Sequence, residues 1–166
     1  MAVSLPGHGD FRLLRSALRA RLYEATRERD GVHVSVKALA IDDPVLETRV
    51  EQEFRSLRRL SGEGIVKALG VERVANEVVL IFEQVEGLTV EQRAGGQPLP
   101  IDEFIAIATA TLRVLARVHE QRVVHRDLKP SSIVLVPASA GSPAKVVLTD
   151  FGLAPLLESE RRHLYD

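Results

Sequence analysis

Apolar positions along this chain follow two periods. Val32, Val34 and Val36 alternate with His33, Ser35 and Lys37, as in a half-buried strand, and Asp30-Gly31 ahead of them marks a turn. Beyond Pro44 the spacing changes. Leu46, Val50, Phe54, Leu57 and Leu60 recur three and four residues apart, which predicts an amphipathic helix. A turn at Ser61 to Gly64 is followed by two predicted strands, Ile65 to Leu69 and Glu77 to Phe82. Arg93 to Pro100, RAGGQPLP, reads as a loop and the clearest internal boundary.

A long helix is predicted from Ile101 to Gln121, with Asp102 and Glu103 placed favourably for the helix dipole. Ile101, Phe104, Ile105, Ile107, Ala108, Leu112, Val114, Leu115 and Val118 spread over roughly 180° of its circumference, against about 100° for an ordinary surface helix. Such a helix expects partners on more than one side. Ile133 to Val136 and Lys145 to Thr149 then flank the turn-rich Pro137 to Pro143 and predict a hairpin. Phe11 to Ala25, FRLLRSALRARLYEA, fits either a basic hairpin or a helix with Leu14, Leu18 and Leu22 on one stripe. The closing LLESERRHLYD reads as a short charged helix or a frayed tail.

Composition narrows the function classes. With 45% apolar and 27% charged residues in 166, the chain has the make-up of a globular domain. Its 22 basic residues are matched by 23 acidic ones, so nothing points to nucleic acid or an anionic membrane as partner. Cysteine is absent, which removes disulfides and thiolate metal sites. The start, MAVSLPGHGD, has neither the basic nor the apolar region of a signal peptide, and no apolar run reaches membrane-spanning length. A cytoplasmic location is the expectation.

The predicted hairpin carries the candidate chemistry. Asp127 lies in the loop entering its first strand and Asp150 at the exit of its second, so one hairpin can bring both acids to one cleft. An acid that accepts a proton, beside one that holds a metal, is the minimum equipment for moving a phosphoryl group onto a hydroxyl. The wording goes further: His125-Arg126-Asp127-Leu128-Lys129-Pro130, followed by Asp150-Phe151-Gly152, resembles the catalytic and metal loops of the protein kinase superfamily, in the serine/threonine style. That resemblance implies an α+β, protein-kinase-like fold, with a small β-rich N-lobe holding one αC helix and an incomplete helical C-lobe. Its division would be a tail at 1–10, the N-lobe and hinge at 11–87, and at 88–166 a partial C-lobe with αD, αE, the catalytic loop, the hairpin and a charged tail.

ATP and Mg2+ follow as implied cofactors. Under the resemblance Asp127 accepts the substrate hydroxyl proton, Lys129 steadies the transferring phosphoryl and Asp150 holds magnesium, while Ser132 stands where the family has an asparagine that binds a second metal. Val34-Ser35-Val36-Lys37 is similar to the kinase strand whose lysine pairs with the α and β phosphates, with Ser35 replacing an alanine that packs on adenine. Glu53, in a Glu-x-x-x-Leu-x-x-Leu pattern, would hold Lys37, with Glu51 a rival and a surface pair with Arg49 the plainer role. Leu14, Leu22 and Val134 would line the nucleotide pocket, Glu83 and Val85 would offer hinge backbone groups to adenine, and Phe82 would close the back.

The sequence departs from the family at the phosphate loop. Arg15, Ala17 and Ala20 stand where three glycines belong, and glycine is used there so that backbone amides can approach phosphate. Arg15 and Arg19 could contact phosphate as charged side chains instead. His125 would pack beneath Phe151 in a column continuing through Leu57, and Arg126 would anchor a phosphorylated activation segment. The sequence ends at Asp166, with no Ala-Pro-Glu segment after Gly152. Two readings result: a serine/threonine kinase-like fragment impaired on its own, or a non-catalytic pseudokinase module for regulation or docking. A protein substrate or signalling partner is implied by either, with self-association through the apolar C-lobe surface as a further expectation.

Overall fold

Strand alternation is realised first in the segment that carries it most cleanly. In the computed structural model, which describes residues 5–16, 19–137 and 145–151, Val32–Ala40 forms a strand (β3) with Val34, Val36 and Ala38 buried. It sits at the centre of a five-stranded antiparallel sheet with β1 (His8–Ser16), β2 (Ala20–Arg27), β4 (Ala68–Val74) and β5 (Glu77–Glu83), in the order β1-β2-β3-β5-β4. Together with one helix, α1 (Pro44–Arg59), these strands make a compact unit of residues 5–58 and 67–84.

Both faces of this sheet are covered near its middle, which is why β5 is an unbroken apolar run rather than an alternating one. One face buries Val34, Val36, Ala38, Val79 and Ile81 with Tyr23, Ala25 and Leu5. Val78, Leu80 and Phe82 point to the other face, since successive strand side chains alternate. There the Phe54 ring of α1 meets Phe82 edge-on at 5.6 Å. Leu46, Val50, Phe54 and Leu57 form the buried stripe of α1, and Pro44 at the first helical position follows Asp43, whose Oδ1 accepts the Val45 N–H at 2.9 Å.

One open alternative is settled in this unit and two expectations change. The described part of Phe11 to Ala25 is hairpin rather than helix: β1 and β2 pair in an antiparallel ladder, and β2 pairs in turn with β3 along its whole length. Within the stretch expected as a tail, residues 8–10 belong to β1 and Leu5 is buried in the core. The strand expected at Ile65 to Leu69 starts only at Ala68 and runs on to Val74.

Residues 59–66 and 85–151 form the second unit. Its sheet has the order β6-β7-β8, from Leu88–Thr89, Ile133–Val136 and Lys145–Leu148. The hairpin β7–β8 pairs Ile133 with Leu148 and Val136 with Lys145, as the sequence predicts, and its second strand ends one residue early. Ile65 bridges to Leu148 and the Val66 N–H donates to the Leu148 carbonyl at 3.1 Å, so this stretch belongs here rather than to β4.

Part of the predicted loop is helical. A short helix, α2 (Val90–Ala94), is closed at its start by Thr89 and Gln92 in a reciprocal capping box, and at its end by Gly95 in the left-handed region. The long helix α3 (Ile101–Glu120) buries Thr111, Val114 and Val118. Among the described residues Ile101, Phe104, Ile105 and Leu112 stay more than half exposed, so only one side of its wide apolar arc is covered. No helix of the described residues is long and apolar enough to cross a membrane. The predicted hairpin tip, apart from Pro137, Ala17 and everything from Gly152 onward lie outside the described residues.

Candidate active site

The loop between α3 and β7 holds the candidate chemistry in the second unit. Its anchor is His125, 2% exposed, whose ring stacks on Phe151 with centroids 4.4 Å apart. Its Nε2–H donates to the Thr149 carbonyl at 2.9 Å, and its Nδ1 accepts the Asp127 N–H at 3.4 Å. These partners assign the proton to Nε2 and leave the ring neutral. Burial pushes the imidazole pKa below its ordinary value; the Thr149 carbonyl and the charges of Asp127 and Asp150 push the other way and are weaker. Both carboxylates therefore lie within electrostatic reach of one ring, which is the convergence the hairpin predicts.

Backbone geometry at the two acids is unusual. Arg126 has φ +62° and is spanned by a tight turn in which the Asp127 N–H donates to the His125 carbonyl at 2.9 Å; Asp150 has φ +58°. Non-glycine residues rarely adopt this region and each costs of order 1–3 kcal/mol, so surrounding bonds must hold them there. Asp127 meets Lys129 in an ion pair, Oδ2 to Nζ 2.6 Å. A pair this exposed adds under about 1 kcal/mol to stability, and it sets a carboxylate beside a cation in this loop.

Ser132 closes the loop. It ends a single 3-10 turn, Pro130–Ser132, and is fully buried. Its hydroxyl accepts the Lys129 N–H at 3.0 Å and donates toward the Lys129 and Asp127 carbonyls, at 2.9 and 3.3 Å. The Ser132 carbonyl accepts the Thr149 N–H at 2.9 Å and faces the Thr149 hydroxyl at 3.4 Å. Thr149, the residue before Asp150, thus ties that strand end to the catalytic-loop candidate, a role sequence reasoning missed. Its only signal was adjacency to Asp150.

In the first unit, strand register gathers most of the expected nucleotide residues. Leu22 pairs with Lys37, Lys37 with Leu80, and Ser35 with Phe82, so these side chains share the sheet face against which Phe54 packs. Lys37 and Ser35 are half-buried there. Glu53 precedes Phe54 on α1 and is half-buried, whereas its rival Glu51 is paired with Arg55 at 3.0 Å on the same helix. Leu14 falls in an irregularity between the Leu13–Tyr23 and Arg15–Leu22 pairs and is 42% exposed. The Glu83 N–H donates to the Lys67 carbonyl at 3.0 Å and its carboxylate accepts the Lys67 N–H at 2.9 Å. In the second unit Val85 is half-buried, and Val134 is buried opposite Thr89 and Val147.

Comparison with known proteins identifies the family and the fold. A family model described as the protein kinase domain matches residues 19–165. The serine/threonine-protein kinase TIO of Arabidopsis thaliana is 31% identical over 156 residues, covering 92% of this chain and 11% of that protein. The serine/threonine-protein kinase pkn2 of Myxococcus xanthus is 27% identical over 163 residues, covering 95% of this chain and 19% of that protein. The chain therefore spans a fifth or less of these relatives' length. The crystal structure of the Mycobacterium tuberculosis PknI kinase domain superposes with a TM-score of 0.74 at 23% identity, over 91% of this chain and 62% of that one.

Proposed function

The chain belongs to the protein kinase family, and from that membership we propose that it serves ATP- and Mg2+-dependent phosphoryl transfer to serine or threonine hydroxyls of a protein partner. The observation that carries this is the Asp127–Lys129 pair at 2.6 Å, in a loop braced by a buried neutral histidine that also feels Asp150. Asp127 is the proton acceptor for the attacking hydroxyl. Lys129, a cation beside it, steadies the developing negative charge of the transferring group.

The donor set fits a cation that arrives with its phosphates. Among the described residues no three His, Asp or Glu side chains are grouped to hold a metal, and Mg2+ is commonly held by one or two carboxylates plus substrate oxygens and water. Asp150 is the proposed ligand. Bound there, Mg2+ would supply neutralisation of phosphate charge. Lys37, with Glu53 as its brace, is proposed to hold the α and β phosphates. Leu22, Ser35, Leu14 and Val134 would receive the adenine, with backbone groups of Glu83 and Val85 at its edge.

A second reading, a non-catalytic docking module, draws on Arg15 and Ala20, whose side chains stand where close approach of backbone to phosphate calls for glycine. We favour transfer, with low activity for this chain by itself and self-association through the exposed side of α3. Transfer of labelled phosphate from ATP to a serine/threonine peptide library tests the choice. Incorporation that disappears in Asp127→Asn supports transfer; incorporation equal in the two proteins, or absent from both, favours docking.

A further inference from the structure

We propose that Ser132 is a positioning residue that clasps the Asp127–Lys129 loop and does not ligate a cation, so that the site takes one divalent ion. This deepens the phosphoryl-transfer reading and rests on it for the ion count alone. The family position predicts a metal ligand, but the geometry of the side chain points elsewhere. A serine hydroxyl has one proton and two lone pairs. One lone pair takes the Lys129 N–H at 3.0 Å, and the proton is shared between the Lys129 carbonyl at 2.9 Å and the Asp127 carbonyl at 3.3 Å.

What is left of the hydroxyl has no access to solvent, because Ser132 is 0% exposed. Mg2+ dehydrates reluctantly and keeps several waters, so its protein ligands must be open to the solvated ion. A buried oxygen already bonded on both its donor and acceptor sides does not meet that need. The same bonds have a positive role. Residues 127 and 129 carry the proton acceptor and the cation, and Ser132 holds a backbone group of each from a single atom. Its carbonyl takes the Thr149 N–H at 2.9 Å, and the Thr149 carbonyl takes His125 Nε2 at 2.9 Å. Through this chain the left-handed turns at Arg126 and Asp150 are fastened to each other.

Two measurements on the 166-residue protein decide the matter. Amide hydrogen exchange without nucleotide compares wild type with Ser132→Ala. The Lys129 amide is expected to exchange about five- to tenfold faster in the variant, while the interior amides of α3 keep their rates. A general loss of stability would accelerate both sets, and unchanged Lys129 exchange would overturn the clasp. Mn2+ titration followed by electron paramagnetic resonance, with a non-hydrolysable ATP analogue, is expected to count one ion in wild type and one in Ser132→Ala. Two ions in wild type, falling to one in the variant, would overturn the proposal. No bound ion in wild type would instead reject the transfer reading, and the exchange result would still decide the clasp. Ser132→Cys, close in volume but weaker in hydrogen bonding, replaces Ser132→Ala if that variant does not fold.

Discussion

The imidazole of His125 donates to the carbonyl of Thr149 at 2.9 Å, joining the loop that carries Asp127 to the strand end that carries Asp150. The histidine that opens the His125-Arg126-Asp127 motif is thus a buried strut. Its pKa lies below the ordinary value because burial outweighs the neighbouring carbonyl and carboxylates.

A pH dependence follows from that direction. In the unfolded chain the histidine takes up a proton near pH 6.5, whereas the folded one resists until a lower pH. Its contribution to stability is therefore complete above the unfolded pKa and is lost as pH falls toward and through the folded value. Thermal melts across pH 8 to 5 should show Tm falling below about pH 6.5, and His125→Phe should flatten that fall while lowering Tm at pH 8 by the loss of the Thr149 bond. Parallel curves for the two proteins would contradict this.

Lys129→Met and Asp127→Asn should separate stability from activity. Their ion pair is 42% and 23% exposed at its two ends, so either change should cost less than about 1 kcal/mol in a denaturant melt. Transfer should fall by about 10²- to 10⁴-fold, the usual contribution of a positioned acid or base. Equal loss of folding and activity would mean the pair is structural.

Two glycines are fixed by close approach. Gly87 has φ +150°, and a Cβ there would run into the Leu135 carbonyl at the β6–β7 junction; Gly64 has φ +87°, and a Cβ there would collide with the Val114 side chain. Alanine at either position should destabilise the second unit by about 1–3 kcal/mol. Chemical denaturation of Gly87→Ala and Gly64→Ala, with Gly31→Ala as a comparison having open space around its Cβ, checks the ranking.

Phe54 is fully buried and touches Phe82, so Phe54→Ala should cost about 3–5 kcal/mol by urea unfolding. A loss below about 1 kcal/mol would mean that α1 packs on the sheet far less firmly than this contact implies.

Local pattern made much of this legible and long-range pairing withheld the rest. The hairpin β7–β8 and helix α3 could be read because apolar runs and turn formers delimit them within a few residues. The first hairpin could not be told from a helix, since Leu14, Leu18 and Leu22 suit an i, i+4 stripe; the ladder that β3 offers to β2 decides it. Ile65 was misassigned because its partner, Leu148, is remote in sequence. β6 is two residues long and leaves no period to detect. At the site, the lettering marked Asp127, Lys129 and Asp150, but it could not reveal that the Ser132 hydroxyl is enclosed, because burial of one oxygen depends on every neighbour at once.

The central claim, that this chain holds ATP with a divalent cation through Asp150, is tested most directly by thermal shift of wild type and Asp150→Asn with ATP, with and without Mg2+. At one hundred times the dissociation constant, binding should stabilise the wild type by about 2.7 kcal/mol, visible as a clear rise in Tm. The account predicts that rise with ATP and Mg2+ together and its loss in Asp150→Asn. A wild-type Tm that ATP and Mg2+ leave unmoved, or a rise that Asp150→Asn retains in full, would contradict it.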